Sequence, residues 1–274
     1  MCVPGCQEIV RERLSRRGFF KGSAAVAAGA AATFVAAPAR QAKAQTFSRV
    51  VDLTHPLPPD FPTYFGEPGL RIEELFNFAQ NGFNLNMWHL NEHTGTHMDA
   101  PLHFSADGLS TDEISVDNLV VPLAVIDITA KAEADPDAEV TVEDITAWEE
   151  RNGTLPEGCC VALRSGWDGR APTEAFRNAD ADGVMHFPGF SIEATTLMLE
   201  QRNVAGMAVD TLSLDHGPSQ TFDTHYAWLP TGRWGLECLA NLGDVPEDGA
   251  TLVVGAPKIV GASGGPSRLF ALVP

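Results

Sequence analysis

Short runs in which apolar residues alternate with polar ones, or crowd together, recur along the chain and predict strands. They are Val50 to Leu53, Leu85 to Glu92, Leu123 to Ile128, Cys160 to Arg164, Val204 to Val209, Leu252 to Val254 and Arg268 to Val273. Three segments between them carry helix signals. Ser115 precedes a short turn over 116–120, Thr141 opens 142–151 with Gly153 closing it, and Ser191 opens 192–202 with Glu193 in the first turn, where the helix dipole favours a negative charge. Strands alternating with helices predict an α/β class. No linker rich in proline, serine and glycine divides the chain and no repeat shows, so residues 45–274 read as one domain.

The first 44 residues follow a different pattern. Arg11, Arg13, Arg16, Arg17 and Lys21 precede a weakly apolar run, rich in alanine and glycine, from Gly22 to Ala37. Ser15-Arg16-Arg17-Gly18-Phe19-Phe20-Lys21 matches the twin-arginine export pattern, and Ala42-Lys43-Ala44 offers a small-x-small cleavage site. Residues 1–44 are therefore expected to be a twin-arginine signal peptide read by the twin-arginine export machinery, giving a periplasmic or secreted product. No apolar run is of the length and character that would hold the chain in a membrane.

Charge narrows the partners. With 18 Lys+Arg against 36 Asp+Glu the formal charge is −18, and no basic face is left to neutralise a phosphate backbone, which argues against nucleic acid. The signal holds seven of the basic and two of the acidic residues, so the remainder carries 11 against 34, a formal charge of −23 that suits salt-rich surroundings. Of five cysteines, Cys2 and Cys6 lie in the signal. Cys159, Cys160 and Cys238 sit in apolar runs and read as small buried hydrophobes, not a disulfide framework.

The densest chemistry is His93-Thr94-Gly95-Thr96-His97-Met98-Asp99-Ala100-Pro101-Leu102-His103. Glycine and proline bracket it, so it is not one helix; a strand or bend would put His97 and Asp99 on one side, since residues i and i+2 share a strand face. Imidazole and carboxylate together suit Zn²⁺, Mn²⁺ or Fe²⁺. His55, His89, His186 and His216 stand alone and read as structural. Two nucleophile readings fail. Gly261-Ala262-Ser263-Gly264-Gly265 fits G-x-S-x-G, yet no acid or histidine follows Ser263, so it reads as a flexible turn before the last strand. Cys159 and Cys160 have no neighbouring base.

The 93–103 segment resembles the signature of the metal-dependent cyclase family, the group of bacterial kynurenine formamidase and isatin hydrolase. Further likeness runs through Asp52-Leu53-Thr54, Phe187-Pro188-Gly189, Gly206 to Asp215, His225, Glu237 to Leu242 and Pro257 to Arg268. The resemblance implies a swivelling β/β/α fold, a mixed sheet flanked by helices, assembled as a homodimer or homotetramer. It also implies a metal-dependent amidohydrolase with one or two ions per subunit, zinc or manganese. Matched position by position, His93 and His97 would hold one metal, Asp99 and Glu237 would reach both, His225 would complete the ligands, and His103 would be the general acid/base.

Amide cleavage needs such a residue, because a nitrogen leaving group is poor until protonated, and an imidazole of ordinary pKa about 6.5 suits the task. Tyr64 stands where formamidases carry a pocket tryptophan, and Tyr64, Phe65 and Phe104, with Phe61 and Phe83, are expected walls for a flat ring. The expected substrate is a small aromatic or cyclic amide. Export favours an external compound, and folded-state export would let the cytoplasm load the metal first. Two other classes remain open on sequence alone: an exported binding protein that keeps the metal site without turnover, and a metal-dependent lyase that uses His103 to remove a proton alpha to a carbonyl.

Overall fold

A computed structural model describes residues 46–274; the expected signal and its cleavage site lie outside the described residues. In chain order the strands are β1 (Arg49–Asp52), β2 (Leu70–Phe76), β3 (Leu85–Leu90), β4 (His97–Asp99), β5 (Val120–Asp127), β6 (Glu139–Val140), β7 (Cys160–Arg164), β8 (Gly189–Phe190), β9 (Gly206–Val209), β10 (Trp234–Glu237), β11 (Ala250–Gly255), β12 (Gly264–Pro266) and β13 (Arg268–Val273). The α-helices are α1 (Phe78–Asn81), α2 (Thr129–Ala134), α3 (Val142–Asn152), α4 (Ile192–Gln201) and α5 (Asp223–Trp228).

Nine strands form one mixed sheet in the order β1-β13-β11-β5-β7-β9-β10-β4-β12. Its centre, β5-β7-β9-β10, is parallel, because helical crossovers separate those strands in sequence; the flanking pairs are antiparallel. Side-chain alternation along the central strands splits the interior into two layers. Ala124, Ile126, Val161, Leu163, Met207 and Val209 meet Ile145 and Trp148 of α3 and Ala194 and Met198 of α4 on one face. Leu123, Val125, Cys160, Ala162 and Ala208 meet Leu53, Met98, Leu236, Leu252 and Leu269 on the other, where the sheet curls over itself. Each fully buried leucine there contributes about 1.5–3 kcal/mol of transfer free energy. Cys159 and Cys160, adjacent in sequence, fall in opposite layers, and all three described cysteines are free and buried.

The capping expectations meet mixed outcomes. Thr141 forms a reciprocal capping box with Asp144, and Ser191 accepts from the Ala194 amide. The turn after Ser115 is only a 3₁₀ turn, Val116–Asn118, without a side-chain cap. Among the elements the pattern did not signal is β2, which pairs with β3 as a separate two-stranded sheet. Leu70-Arg71-Ile72-Glu73 alternates apolar with polar, but Glu74-Leu75-Phe76 breaks the alternation, and every residue after Leu70 is exposed, so no half-buried face runs the strand's length. Among the described residues, no helix is long and apolar enough to cross a membrane.

Candidate metal centre

The sheet itself brings the cluster together. On β4, His97 and Asp99 are two apart and share a face; β10 runs antiparallel beside it, pairing Glu237 with His97 and Gly235 with Asp99. On the other side β12 pairs Gly264 with Asp99. Asp99 thus has a glycine across from it on either flank. A Cβ on Gly264 would come within 2.5 Å of the His93 ring, and one on Gly235 within 2.8 Å of Leu214 and 3.4 Å of Asp99 Oδ2. His225 arrives from α5, where Asp215 accepts from the Thr224 amide at 2.8 Å and lies 2.5 Å from His225 Nδ1.

All five expected ligands converge. His93 Nδ1 lies 2.7 Å from Asp99 Oδ1, and His97 Nε2 lies 3.3 Å from Asp99 Oδ1 and 3.4 Å from Glu237 Oε2. His225 Nε2 lies 3.2 Å from Glu237 Oε1 and 3.6 Å from Asp99 Oδ2. His97 donates its other nitrogen to the Gly95 carbonyl at 2.8 Å, and Asp215 takes the His225 Nδ1 proton, so the Nε2 atoms of both rings face the cluster. Two metal-type groups overlap at Asp99: His93–Asp99–His103 and His97–Asp99–Glu237. His103 therefore also stands within donor range of His93 and Asp99, beyond the proton-transfer role expected of it.

The residues fit a bound cation. His97 Nε2 and Asp99 Oδ2 are buried without a hydrogen-bond partner, and stranding two polar atoms in this way is costly unless an ion satisfies both. Burial works against charge on Asp99, yet the neighbouring His225, His93 and His97 overcome it and hold the carboxyl well below its usual range. Burial, joined by the charge on Asp99, pushes Glu237 up instead. His97 and His225 are held well above the ordinary imidazole value, because the carboxylates beside them outweigh burial. His103 goes the other way: burial, with the His93, His225 and His97 rings nearby adding to it, lowers it to about 4 against the pull of Asp99. Its ring stacks on His93 with centroids 3.8 Å apart.

A cavity of about 250 Å³ opens onto His93, His103, His225 and Glu237. Tyr64, Phe65 and Phe104 line it, as expected, with Phe104 4.6 Å from the His225 ring centroid. Phe222 and Leu212 complete the apolar wall. Two expected wall residues lie elsewhere: Phe61 is packed against Phe176 in the core, and Phe83 stacks on Phe76 next to the outlying hairpin. The single histidines sit away from the cluster. His89 pairs with Glu73, His186 with Asp137 and His216 with Glu139, while His55 lies against Phe61 and Phe176.

The 261–265 run does begin in a turn, but two strands follow it, and Ser263 is held: it leads into β12, its hydroxyl lies 2.5 Å from Glu92 and 3.1 Å from His93 Nε2, and its amide donates to Glu92 at 3.2 Å. Residues without an expected role also shape the site. Asp215 orients His225, and the Leu214 amide donates to Glu237 at 3.1 Å. Both lie within the 206–215 stretch of family likeness, the only sequence signal that could have pointed to them; Phe222 had none.

Comparison with known proteins agrees with this geometry. Residues 51–216 match the family described as "Putative cyclase". The chain is 36% identical over 230 residues to isatin hydrolase of Roseibium aggregatum, covering 80% of this chain and 86% of that protein. It is 31% identical over 192 residues to kynurenine formamidase of Salinibacter ruber, covering 70% and 81%. Among solved structures, isatin hydrolase A from Labrenzia aggregata bound to benzyl benzoate superposes with a TM-score of 0.77 at 37% identity, over 82% of this chain and 93% of that one. An isatin hydrolase bound to the product analogue thioisatinate does so with a TM-score of 0.77 at 35% identity, over 82% and 92%. With its fold, its clustered ligands and these relatives in agreement, the chain belongs to the cyclase family of metal-dependent hydrolases.

Proposed function

We propose that the protein hydrolyses the C–N bond of a cyclic amide of the isatin type or of an aryl formamide. The observation that carries this reading is the junction of two unlike environments: buried imidazoles and carboxylates with unpartnered atoms at one end of a cavity, and aromatic walls at the other. His93, His97, Asp99, His225 and Glu237 would hold the ion. When bound there, a divalent cation supplies Lewis-acid polarisation of the carbonyl and eases deprotonation of water near pH 7. Tyr64, Phe65, Phe104 and Phe222 enclose a flat substrate ring and keep bulk water away. His103, neutral down to about pH 4, takes a proton from the attacking water and passes it to the departing nitrogen.

The reading extends to zinc or manganese, one or two ions per subunit, on the chemistry of the donor set. It extends to a homodimer or homotetramer on family resemblance, and to twin-arginine export into the periplasm or beyond on the amino-terminal motif. The test is an ultraviolet assay of protein loaded with zinc or manganese against isatin, N-formylkynurenine and simple cyclic amides, run in ¹⁸O-labelled water. Metal-dependent turnover with label in the new carboxylate is expected. Tight binding without turnover, or a product free of label, would overturn the proposal in favour of a binding protein or a lyase.

A further inference from the structure

The three histidines on β4, the loop before it and α5 are not held alike. His97 and His225 give their Nδ1 protons to fixed acceptors, the Gly95 carbonyl and Asp215, which leaves Nε2 for the cluster. His93 is turned round. Its Nδ1 faces Asp99 at 2.7 Å, and its Nε2 faces Ser263 Oγ at 3.1 Å. Ser263 has one hydroxyl proton, and it donates this to the Glu92 carboxylate 2.5 Å away, which also accepts from the Ser263 amide. The hydroxyl proton therefore goes to Glu92, and Oγ has only lone pairs to offer His93. Nε2 must be the protonated nitrogen.

We infer that Glu92 and Ser263 are positioning residues that fix His93 in the Nε2–H tautomer, so that His93 meets the ion through Nδ1 while His97 and His225 meet it through Nε2. With Nε2 protonated, Nδ1 and Asp99 Oδ1 are two acceptors at 2.7 Å, which repel unless they share a cation. Gly264 supports the arrangement, since a side chain there would strike the His93 ring at 2.5 Å. The G-x-S-x-G run at 261–265 thereby acquires a role without a nucleophile: serine sets the ring's proton and glycine makes room for the ring. This inference rests on the proposal that His93 is a ligand.

The test uses full-length protein, stripped of metal and titrated with Zn²⁺ by calorimetry, together with ¹⁵N-histidine spectra of the zinc-loaded form. The resonance that disappears in His93→Ala should report protonation at Nε2, opposite to those of His97 and His225. Ser263→Ala and Glu92→Ala should each weaken zinc by about 10–100-fold, the range for losing an outer hydrogen-bond partner of a ligand. In Glu92→Ala the serine remains but its proton is free to turn toward Nε2. Glu92→Gln, whose amide oxygen still accepts, should stay near the parent, and it keeps the test open if an alanine variant does not fold. If His93→Ala loses zinc while His93 is protonated at Nδ1, or while Ser263→Ala and Glu92→Ala bind like the parent, the positioning role is overturned and the ligand reading stands. If His93→Ala itself binds zinc like the parent, the ligand reading fails and the inference with it.

Discussion

Among the described residues two aspartates are 0% exposed, Asp99 and Asp210, and they are buried in opposite ways. Asp210 ends β9 and is surrounded by donors from the turn after β7: the Ser165 hydroxyl at 2.6 Å and the amides of Ser165, Gly166 and Trp167 at 2.8, 2.9 and 3.3 Å. It ties two strand ends together, and burial still pushes its carboxyl up to about 7 despite those donors. Asp99 has imidazoles in place of amides, an oxygen with no partner and a second carboxylate close by. A buried carboxylate whose oxygens are all satisfied by the fold is a fastening. One left open toward several basic rings is a receptor for a cation.

The sharpest way to break that contrast is Asp99→Asn. Turnover should vanish and zinc affinity should fall more than about 100-fold, beyond the loss expected from an outer-shell change, and the metal-free protein should also melt lower, because His225, His93 and His97 lose the buried charge they face. Zinc binding within tenfold of the parent would make Asp99 a fastening instead. Next comes His103→Ala, expected to cut turnover by about 10²–10⁴-fold with zinc content retained. In the parent, the rate should hold through neutral pH and fall as pH drops through about 4, where His103 gains the proton that stops it acting as a base; a pH–rate profile of both proteins checks the limb. Asp210→Ala should leave amides unsatisfied and cost about 3 kcal/mol, lowering the melting midpoint by roughly 6–12 °C in calorimetry, while the folded fraction still binds zinc. Smallest is chelation: removing an ion present at about 100 times its dissociation constant should forfeit about 2.7 kcal/mol, read as a lower midpoint for the parent and no change for Asp99→Asn.

Much of this was legible in the chain. Strands β5, β7 and β13 announce themselves because they are buried on one or both faces, and His93, His97 and Asp99 because three imidazoles and an aspartate crowd into eleven positions; His225 and Glu237 were reached only through the family resemblance. Helices α3 and α4 were signalled by Thr141 and Ser191, which do cap them. What escaped was whatever depends on contacts distant in sequence. Strand β10 has no alternation to read, since all four residues are buried, and it matters because Glu237 falls opposite His97. Asp215 looks like any loop aspartate until α5 packs beside it. Ser263 misled for the same reason: its partners are 170 and 171 positions away. Phe61 and Phe83 show the converse, because aromatic character says nothing about which side of a wall a ring occupies.

Ligand-bearing strands and cavity-bearing loops belong to different layers of this molecule. His97, Asp99 and Glu237 are pinned by backbone ladders, whereas Tyr64, Phe65, Leu212 and Phe222 hang from connections outside the strands. Loops of that kind tolerate replacement more readily than sheet interiors. An inherited reactor can therefore be refitted for a new compound by exchanging its lining alone, and a designer seeking altered selectivity should begin there.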